Sequence, residues 1–167
     1  MSSIMVSSTA LSKLCRANIG ILSQKLGLME AITAKHGTEK AQHYFEMTCP
    51  LVKASVGQHF RHSLDHMELA AKLVEHPVDA AELHYDLRER GCQSEHDMQA
   101  AEERILGIVA LLEVASSVKG NEESDKYQHH PVQACFMLSG DSKQEYALAS
   151  TIGRELGFAA HHAIHHM

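Results

Sequence analysis

The sequence predicts an all-α chain folded as a four-helix bundle with long crossover connections. Three observations support this class: four segments carry apolar residues at helical spacing, no pair of strands is apparent, and only three prolines occur in 167 residues. The length suits one domain. We expect a flexible N-terminus over residues 1–10 and the domain over residues 11–167.

The first half of the chain predicts two of the helices. Apolar residues recur at helical spacing over 11–33, which predicts the first helix. The polar stretch 35–55 is expected to be a long connection with at most a short helical turn. A second helix is predicted over 52–74, because its apolar residues recur at intervals of three and four before Pro77.

The second half predicts the other two helices. Residues 76–93 form a second polar crossover, and a third helix is expected over 95–117 with Ser94 as its N-cap. A charged loop follows over 120–130. Residues 132–138 could form a short strand, but no partner strand is recognisable. The fourth helix is predicted to begin at residue 150 or 151 and to reach Met167.

Charge and cysteine spacing exclude several classes of protein. The net charge of −6 and the lack of a basic block argue against nucleic-acid binding, and no apolar run is long enough to span a membrane. Four cysteines occur, none in a C-x-x-C pair, so we expect small buried thiols in a reduced compartment. A cytoplasmic location is the prediction. Organelle targeting is the alternative, because serines and basic residues precede the first acid at Glu30.

Histidine is the unusual feature of the composition, with 14 residues, several of them clustered in the last predicted helix. A helical wheel places His162 and His166 on or beside the apolar stripe of this helix, and His161 and His165 toward solvent. The spacing of His162 and His166 stacks two imidazoles on one face, where they can share a metal ion. No glutamate follows the first histidine, so this is not the zinc-protease motif.

The second predicted helix carries His59, His62 and His66. The wheel places His59 and His66 at the margin of the apolar stripe and His62 farthest from it, so periodicity alone does not choose a ligand. Two alternatives to metal binding stay open for the histidines as a group. They can be polar residues of helix surfaces, and His165 and His166 can be cations that interact with a helix dipole.

Three motifs resemble the DinB-like family, whose members are small metal-binding four-helix bundles. Residues 55–66 (SVGQHFRHSLDH) are similar to the motif of the family's second helix. Residues 150–156 (STIGREL) and 162–167 (HAIHHM) are similar to that of its last helix, and residues 85–90 (YDLRER) resemble an element of one branch. The motifs occur in family order, so the resemblance covers most of the chain from Leu11.

The resemblance implies a metal site of three histidines, one from the second helix and two from the last. When the family's ligand positions are matched to this sequence residue by residue, the ligands are His62, His162 and His166. For the ligand from the second helix, His59 is the first alternative and His66 the second. The metal is expected to be a divalent ion such as Zn, Ni, Fe or Mn. Family members usually continue the last helix beyond the single residue that follows His166 here, which implies a fragment truncated in this helix or a member with weaker metal binding.

The resemblance also implies a function. Characterised relatives include thiol-dependent S-transferases and isomerases, so we expect a metal-dependent enzyme that joins a low-molecular-weight thiol to a small electrophile. Arg61, Arg88 or Arg90 would neutralise an acidic thiol or substrate. The expected partners are a small-molecule substrate and a second copy in a homodimer, not nucleic acid or membrane. The alternatives are a non-catalytic metal-binding or stress-associated module and a plain structural bundle.

Overall fold

The structure, a computed structural model, describes residues 9–75, 81–87, 91–117, 126–139 and 144–166, and this part of the chain is mostly helical. No helix among these residues is both long and apolar enough to cross a membrane. The elements are, in chain order, α1 (Ala10–His36), α2 (Thr38–Glu46), α3 (Val56–Glu75), β1 (Glu82–His84), a 3-10 turn (Gln93–Glu95), α4 (Met98–Ser117), β2 (Pro131–Met137), β3 (Glu145–Thr151) and α5 (Ile152–Ile164).

The four long helices that the sequence predicts are all present, and they pack around one core. Helix α1 contacts α4 and α5, and α3 contacts the same two helices. The core between them includes Leu22, Leu64, Ile105, Leu112 and Leu156, each at most 1% exposed. Burying a side chain of this size contributes about 1.5–3 kcal/mol. The apolar periodicity therefore identified the residues that hold α3 between α4 and α5.

The connection predicted over 35–55 contains a helix. Gly37 has a φ of 81°, a conformation that suits glycine, and its N–H donates to the Thr33 carbonyl at the end of α1. The chain then restarts as α2, whose Ala41 and Phe45 are buried. The expectation of at most a short turn was wrong. Ala41 and Phe45, spaced i, i+4, give α2 a buried face, and Phe45 packs edge-on against Phe60.

The helix starts follow local hydrogen bonding. Thr9 caps α1, so the helix begins at Ala10, which the sequence assigns to the N-terminal segment; residues 1–8 lie outside the described chain. Ser55 Oγ accepts from the Gln58 N–H and Gln58 Oε1 accepts from the Ser55 N–H, which makes a capping box at α3. Ser94 does not cap α4. It is buried in the 3-10 turn, and Asp97 Oδ1 accepts from two N–H groups of α4 instead.

A three-stranded sheet is the main departure from the all-α prediction. The predicted strand at 132–138 exists as β2, and it has two partners: β1 pairs with it in parallel and β3 in antiparallel orientation. Strand β1 falls within the stretch expected to be a crossover, and β3 just before the fourth helix. Residues 140–143, between β2 and β3, lie outside the described chain, as do 76–80, 88–90 and 118–125.

The last helix is shorter than predicted. Thr151 caps α5 by accepting from the Arg154 N–H, in agreement with a start at 150 or 151. The helix ends at Ile164, and His165 and His166 continue it as a turn in which the His166 N–H donates to the Ala163 carbonyl. Met167 lies outside the described residues. The turn still keeps His166 close to His162, which matters for the site.

Candidate metal centre

Five histidines from α3 and from α5 with its C-terminal turn lie together. Their separation of three or four residues puts them on one face of each helix, and the two helices are in contact. The closest nitrogen pairs join the two elements: His62 Nε2 is 3.0 Å from His162 Nε2, and His59 Nδ1 is 3.1 Å from His166 Nδ1. The remaining ring, of His66, has its centroid 4.2 Å from that of His162.

The wheel's division of the last histidines is confirmed. His161 and His165 are exposed and contact each other, with their Nε2 atoms 3.4 Å apart. His162 and His166 are half-buried and face α3. The apolar stripe of α5 therefore predicted that His162 and His166 face α3 and that His161 and His165 face solvent. The prediction holds for His166 although this residue lies just beyond the end of the helix.

Two sets of three rings share His62 and His162. The predicted set adds His166, and the three ring centroids are then 4.8 Å from one another. The other set adds His66, and each of the three residues then offers a ring nitrogen within 4.8 Å of the other two. On sequence grounds, His66 is only the second alternative for the ligand from the second predicted helix. The separations of the ring nitrogens therefore favour His66 as the third ligand, whereas the family resemblance implies His166.

His66 is held in place by aromatic side chains. It is 5% exposed, it stacks on Tyr85 with centroids 4.8 Å apart, and it contacts the edge of Phe158. The Tyr85 hydroxyl donates a hydrogen bond of 2.5 Å to the buried carboxylate of Glu155 on α5. Burial and this carboxylate raise the pKa of Tyr85, so the phenol stays a donor. Tyr85 therefore fixes the plane of the His66 ring.

The charge state of His166 suits metal ligation. Burial, and then the neighbouring His162, His59 and Lys25, lower the pKa of His166 to about 4, so its ring is neutral near pH 7. Lys25 of α1 is fully buried, donates to the His166 carbonyl at 3.3 Å, and lies 4.4 Å from the centroid of Phe60. Burial lowers the pKa of Lys25 to about 8. A neutral imidazole is the form that binds a metal.

The donor set fits a divalent transition metal. Two ligands on a tetrahedral zinc ion are about 3.3 Å apart, since each nitrogen lies about 2.0–2.1 Å from the metal. The 3.0 Å between the Nε2 atoms of His62 and His162 is close to that value. Imidazole nitrogens suit Zn, Cu, Fe and Ni.

Arg61 does not face this site. Its guanidinium donates to Glu95 Oε1 at 2.6 Å and to Asp65 Oδ2 at 2.9 Å, and its side chain is 10% exposed. The proposed role of Arg61 in neutralising a substrate is therefore wrong, because the residue is already paired between α3 and the 3-10 turn. Arg88 and Arg90 lie outside the described residues.

Sequence reasoning gave no role to three residues of the site. Phe158 lies four positions before His162, so its place on the same face of α5 could have been found from spacing. Tyr85 is distinguished in the sequence only as part of the 85–90 motif, and its contact with His66 depends on the sheet. Lys25 carried no signal, since a lysine in an amphipathic helix is normally exposed.

Comparison with known proteins adds one similarity. A stretch of 84 residues, half of this chain, is 32% identical to a curated relative, FK506-binding protein 5 of Rhizopus delemar. The chain spans about a fifth of the length of that relative. No family model matches the chain, and no solved structure matches it.

Proposed function

We propose that the histidine cluster binds one divalent metal ion, with His62 and His162 as two of its ligands. The observation that carries the proposal is the convergence of ring nitrogens from His62, His66 and His162, all within 4.8 Å of one another, from two helices. One histidine on a helix surface needs no explanation. Three histidines that meet where α3 contacts α5, two of them half-buried, offer the nitrogen ligands that a transition metal requires.

The finer proposal is that the chain is a DinB-like four-helix bundle. It is supported by the pairwise packing of α1, α3, α4 and α5 and by histidines on the two helices where the family motifs lie. The three-stranded sheet is then an addition at one side of the bundle. Strand β3 leads directly into α5, and the residue after β1 is Tyr85, so the sheet is joined to the site.

The enzymatic proposal is a thiol transfer to a small electrophile. A bound cation with an open position would lower the pKa of a thiol or water that reaches it. The thiol would lose its proton to solvent, its sulfur would form a bond to an electrophilic carbon, and the leaving group would depart with the electron pair. Phe158 and Tyr85 would form the apolar wall beside the histidines. The four free cysteines fit a reduced, cytoplasmic compartment, where such thiols are found.

One observation favours the alternative, a metal-binding module without catalysis. A cavity of about 320 Å³ is bordered by Asp65, Glu68, Lys72 and Arg104, and none of the five clustered histidines lines it. His66 is buried as well, which leaves little room for a substrate on its side of the cluster. A metal here would then tie α3 to α5 and stabilise the fold.

Metal content and thermal stability test the shared part of both proposals. Protein purified without a tag is expected to hold close to one ion per chain at the histidine cluster, since a site that joins two helices binds only the folded form. At a free metal concentration 100 times the Kd, mass action stabilises by about 2.7 kcal/mol, which is about 5–10 °C in Tm for this chain length. Chelation should remove that shift. An unchanged Tm would contradict metal binding.

A matched pair of variants tests the site itself. His162→Ala is expected to abolish metal retention, whereas His161→Ala, one residue away and exposed, should leave it unchanged. Equal losses would disprove the directional assignment. Conjugation of glutathione to a model electrophile, with and without chelator, then separates the two proposals. Chelator-sensitive turnover supports the transferase, and metal retention without turnover supports the module.

A further inference from the structure

A second cluster of ligating side chains lies on one face of the sheet, away from the five histidines. In the parallel pairing of β1 with β2, His84 is opposite Cys135, and side chains at paired positions share a face. Glu82 lies two residues before His84 and therefore shares that face. Glu145 of β3 is opposite Met137, two residues after Cys135, so the register brings it to the same face.

The distances within this sheet cluster match a coordination shell. Glu82, His84 and Cys135 each offer a ligand atom within 4.8 Å of the other two. The Nε2 atom of His84 is 3.4 Å from Glu82 Oε2, close to the separation of about 3.3–3.8 Å between two ligands of a tetrahedral zinc ion. On its other side, His84 Nδ1 is 2.6 Å from Glu145 Oε2. A carboxylate on the far nitrogen is the usual support of a metal-bound histidine.

Without a cation, the sheet cluster is poorly compensated. The carboxylates of Glu82 and Glu145 lie on either side of the His84 ring, and the Cys135 thiol is within ligand distance of Glu82 and His84. The second oxygen of Glu145, Oε1, is buried and has no hydrogen-bond partner in the part of the chain that the structure describes. A divalent ion would compensate the carboxylates and favour the thiolate.

We propose that Glu82, His84 and Cys135 bind a second divalent metal ion, with Zn²⁺ as the best fit, and that Glu145 orients His84. One thiolate, one imidazole and one carboxylate are the ligand types that zinc takes, and a water would complete the tetrahedron. Cys135 is 3% exposed, whereas the side chains of His84 and Glu82 are 40% and 57% exposed, so the ion can enter from solvent. This proposal does not depend on the histidine cluster.

Cobalt is the probe that distinguishes this site from the first. A cobalt–thiolate bond gives a charge-transfer band in the near ultraviolet, whereas a site with only histidine ligands gives none. We expect the band when Co²⁺ is added to the full chain under reducing conditions, and Zn²⁺ should displace it. Cys135→Ser should lose the band. Cys15→Ser, Cys49→Ser and Cys92→Ser, the matched controls, should keep it.

Two further variants keep the proposal testable if Cys135→Ser folds poorly. His84→Ala, at a half-exposed position, should weaken Co²⁺ binding at this site by more than 100-fold, and Glu145→Gln by about 10–100-fold as expected of a residue that supports a ligand. His162→Ala should leave the band intact. Absence of the band from the unmodified chain, or its survival in both Cys135→Ser and His84→Ala, would overturn the proposal. Neither result would affect the histidine cluster.

Discussion

The Nε2 atoms of His62 and His162 lie 3.0 Å apart, although 100 residues of chain separate the two histidines. At this distance one ring donates a hydrogen bond to the other, or both present a lone pair to one cation. The first arrangement uses two rings only. A shared cation also gives a reason for the rings of His66 and His166 to lie against His62 and His162. We therefore favour a metal centre.

The third ligand can be identified by substitution. If His66 is the ligand, His66→Phe should keep the stacking on Tyr85 but lower metal affinity by more than about 100-fold, beyond the effect of losing an outer-shell partner. His166→Ala should then cost at most about 10–100-fold through its contacts with the other rings. Isothermal titration with Zn²⁺ measures both. The reverse order of losses would identify His166, as the family resemblance implies.

Much of the fold was predictable because its helices are long and periodic. The inward direction of His162 follows from the apolar stripe of α5, which local spacing defines. The sheet was missed for a physical reason. Strand β1 has three residues, and four consecutive residues of β3 are exposed, so neither shows the alternation of a half-buried strand.

The proposed ligand set was only partly predictable for a related reason. His62 and His162 could be proposed from motif and spacing, but the choice between His66 and His166 depends on Tyr85, which the sheet brings against His66. No local pattern encodes a contact between a ring on α3 and a residue after β1. The same holds for the sheet cluster, since Glu82, Cys135 and Glu145 meet only through strand register.

Gly57 should tolerate no side chain. A Cβ at this position would overlap the carbonyl oxygen of Glu95 and lie 2.7 Å from Phe45 Cε1, where α3 meets the 3-10 turn and α2. Because a backbone oxygen cannot rotate away, Gly57→Ala should destabilise by about 3 kcal/mol. Gly107→Ala is the control: it has open space in α4 and should stabilise by about 1 kcal/mol. Urea unfolding measures both, and the same sign for the two variants would contradict the packing described.

The buried ion pair between Arg61 and Glu95 should be essential to stability. The two side chains are 10% and 5% exposed, and Glu95 also accepts from the Gly91 N–H. Glu95→Ala would leave a buried guanidinium short of a partner, at a cost of about 3–5 kcal/mol. Lys72→Met, which removes the exposed partner of Glu68, should cost less than about 1 kcal/mol. If chemical denaturation gives similar losses of unfolding free energy for Glu95→Ala and Lys72→Met, Glu95 is not buried as described.

Lys25 should make the stability of the chain depend on alkaline pH. Burial lowers the pKa of Lys25 from 10.5 to about 8, and the described residues form no ion pair with it. Below pH 8 the folded and unfolded states both hold the proton, so the full cost of the buried charge is present. Between pH 8 and 10.5 the unfolded state binds more protons at Lys25 than the folded state, so the contribution of Lys25 to stability should rise with pH, by about 3 kcal/mol in total. Burial raises the pKa of Cys15 and of Tyr85, which acts in the opposite direction above pH 9, so the contribution of Lys25 is the difference between the unmodified chain and Lys25→Met.

Substitution of Lys25 checks the origin of that rise. Lys25→Met should raise the free energy of unfolding at pH 7 by about 1–4 kcal/mol, because an apolar chain of similar length replaces a buried charge. It should also remove the rise attributed to Lys25, whereas Lys13→Met, at an exposed position of the same helix, should change neither quantity. Denaturant titrations from pH 7 to pH 11 with chelator present exclude any contribution from metal. If Lys25→Met instead destabilises at pH 7, the hydrogen bond to the His166 carbonyl and the contact with Phe60 outweigh the cost of burying the charge.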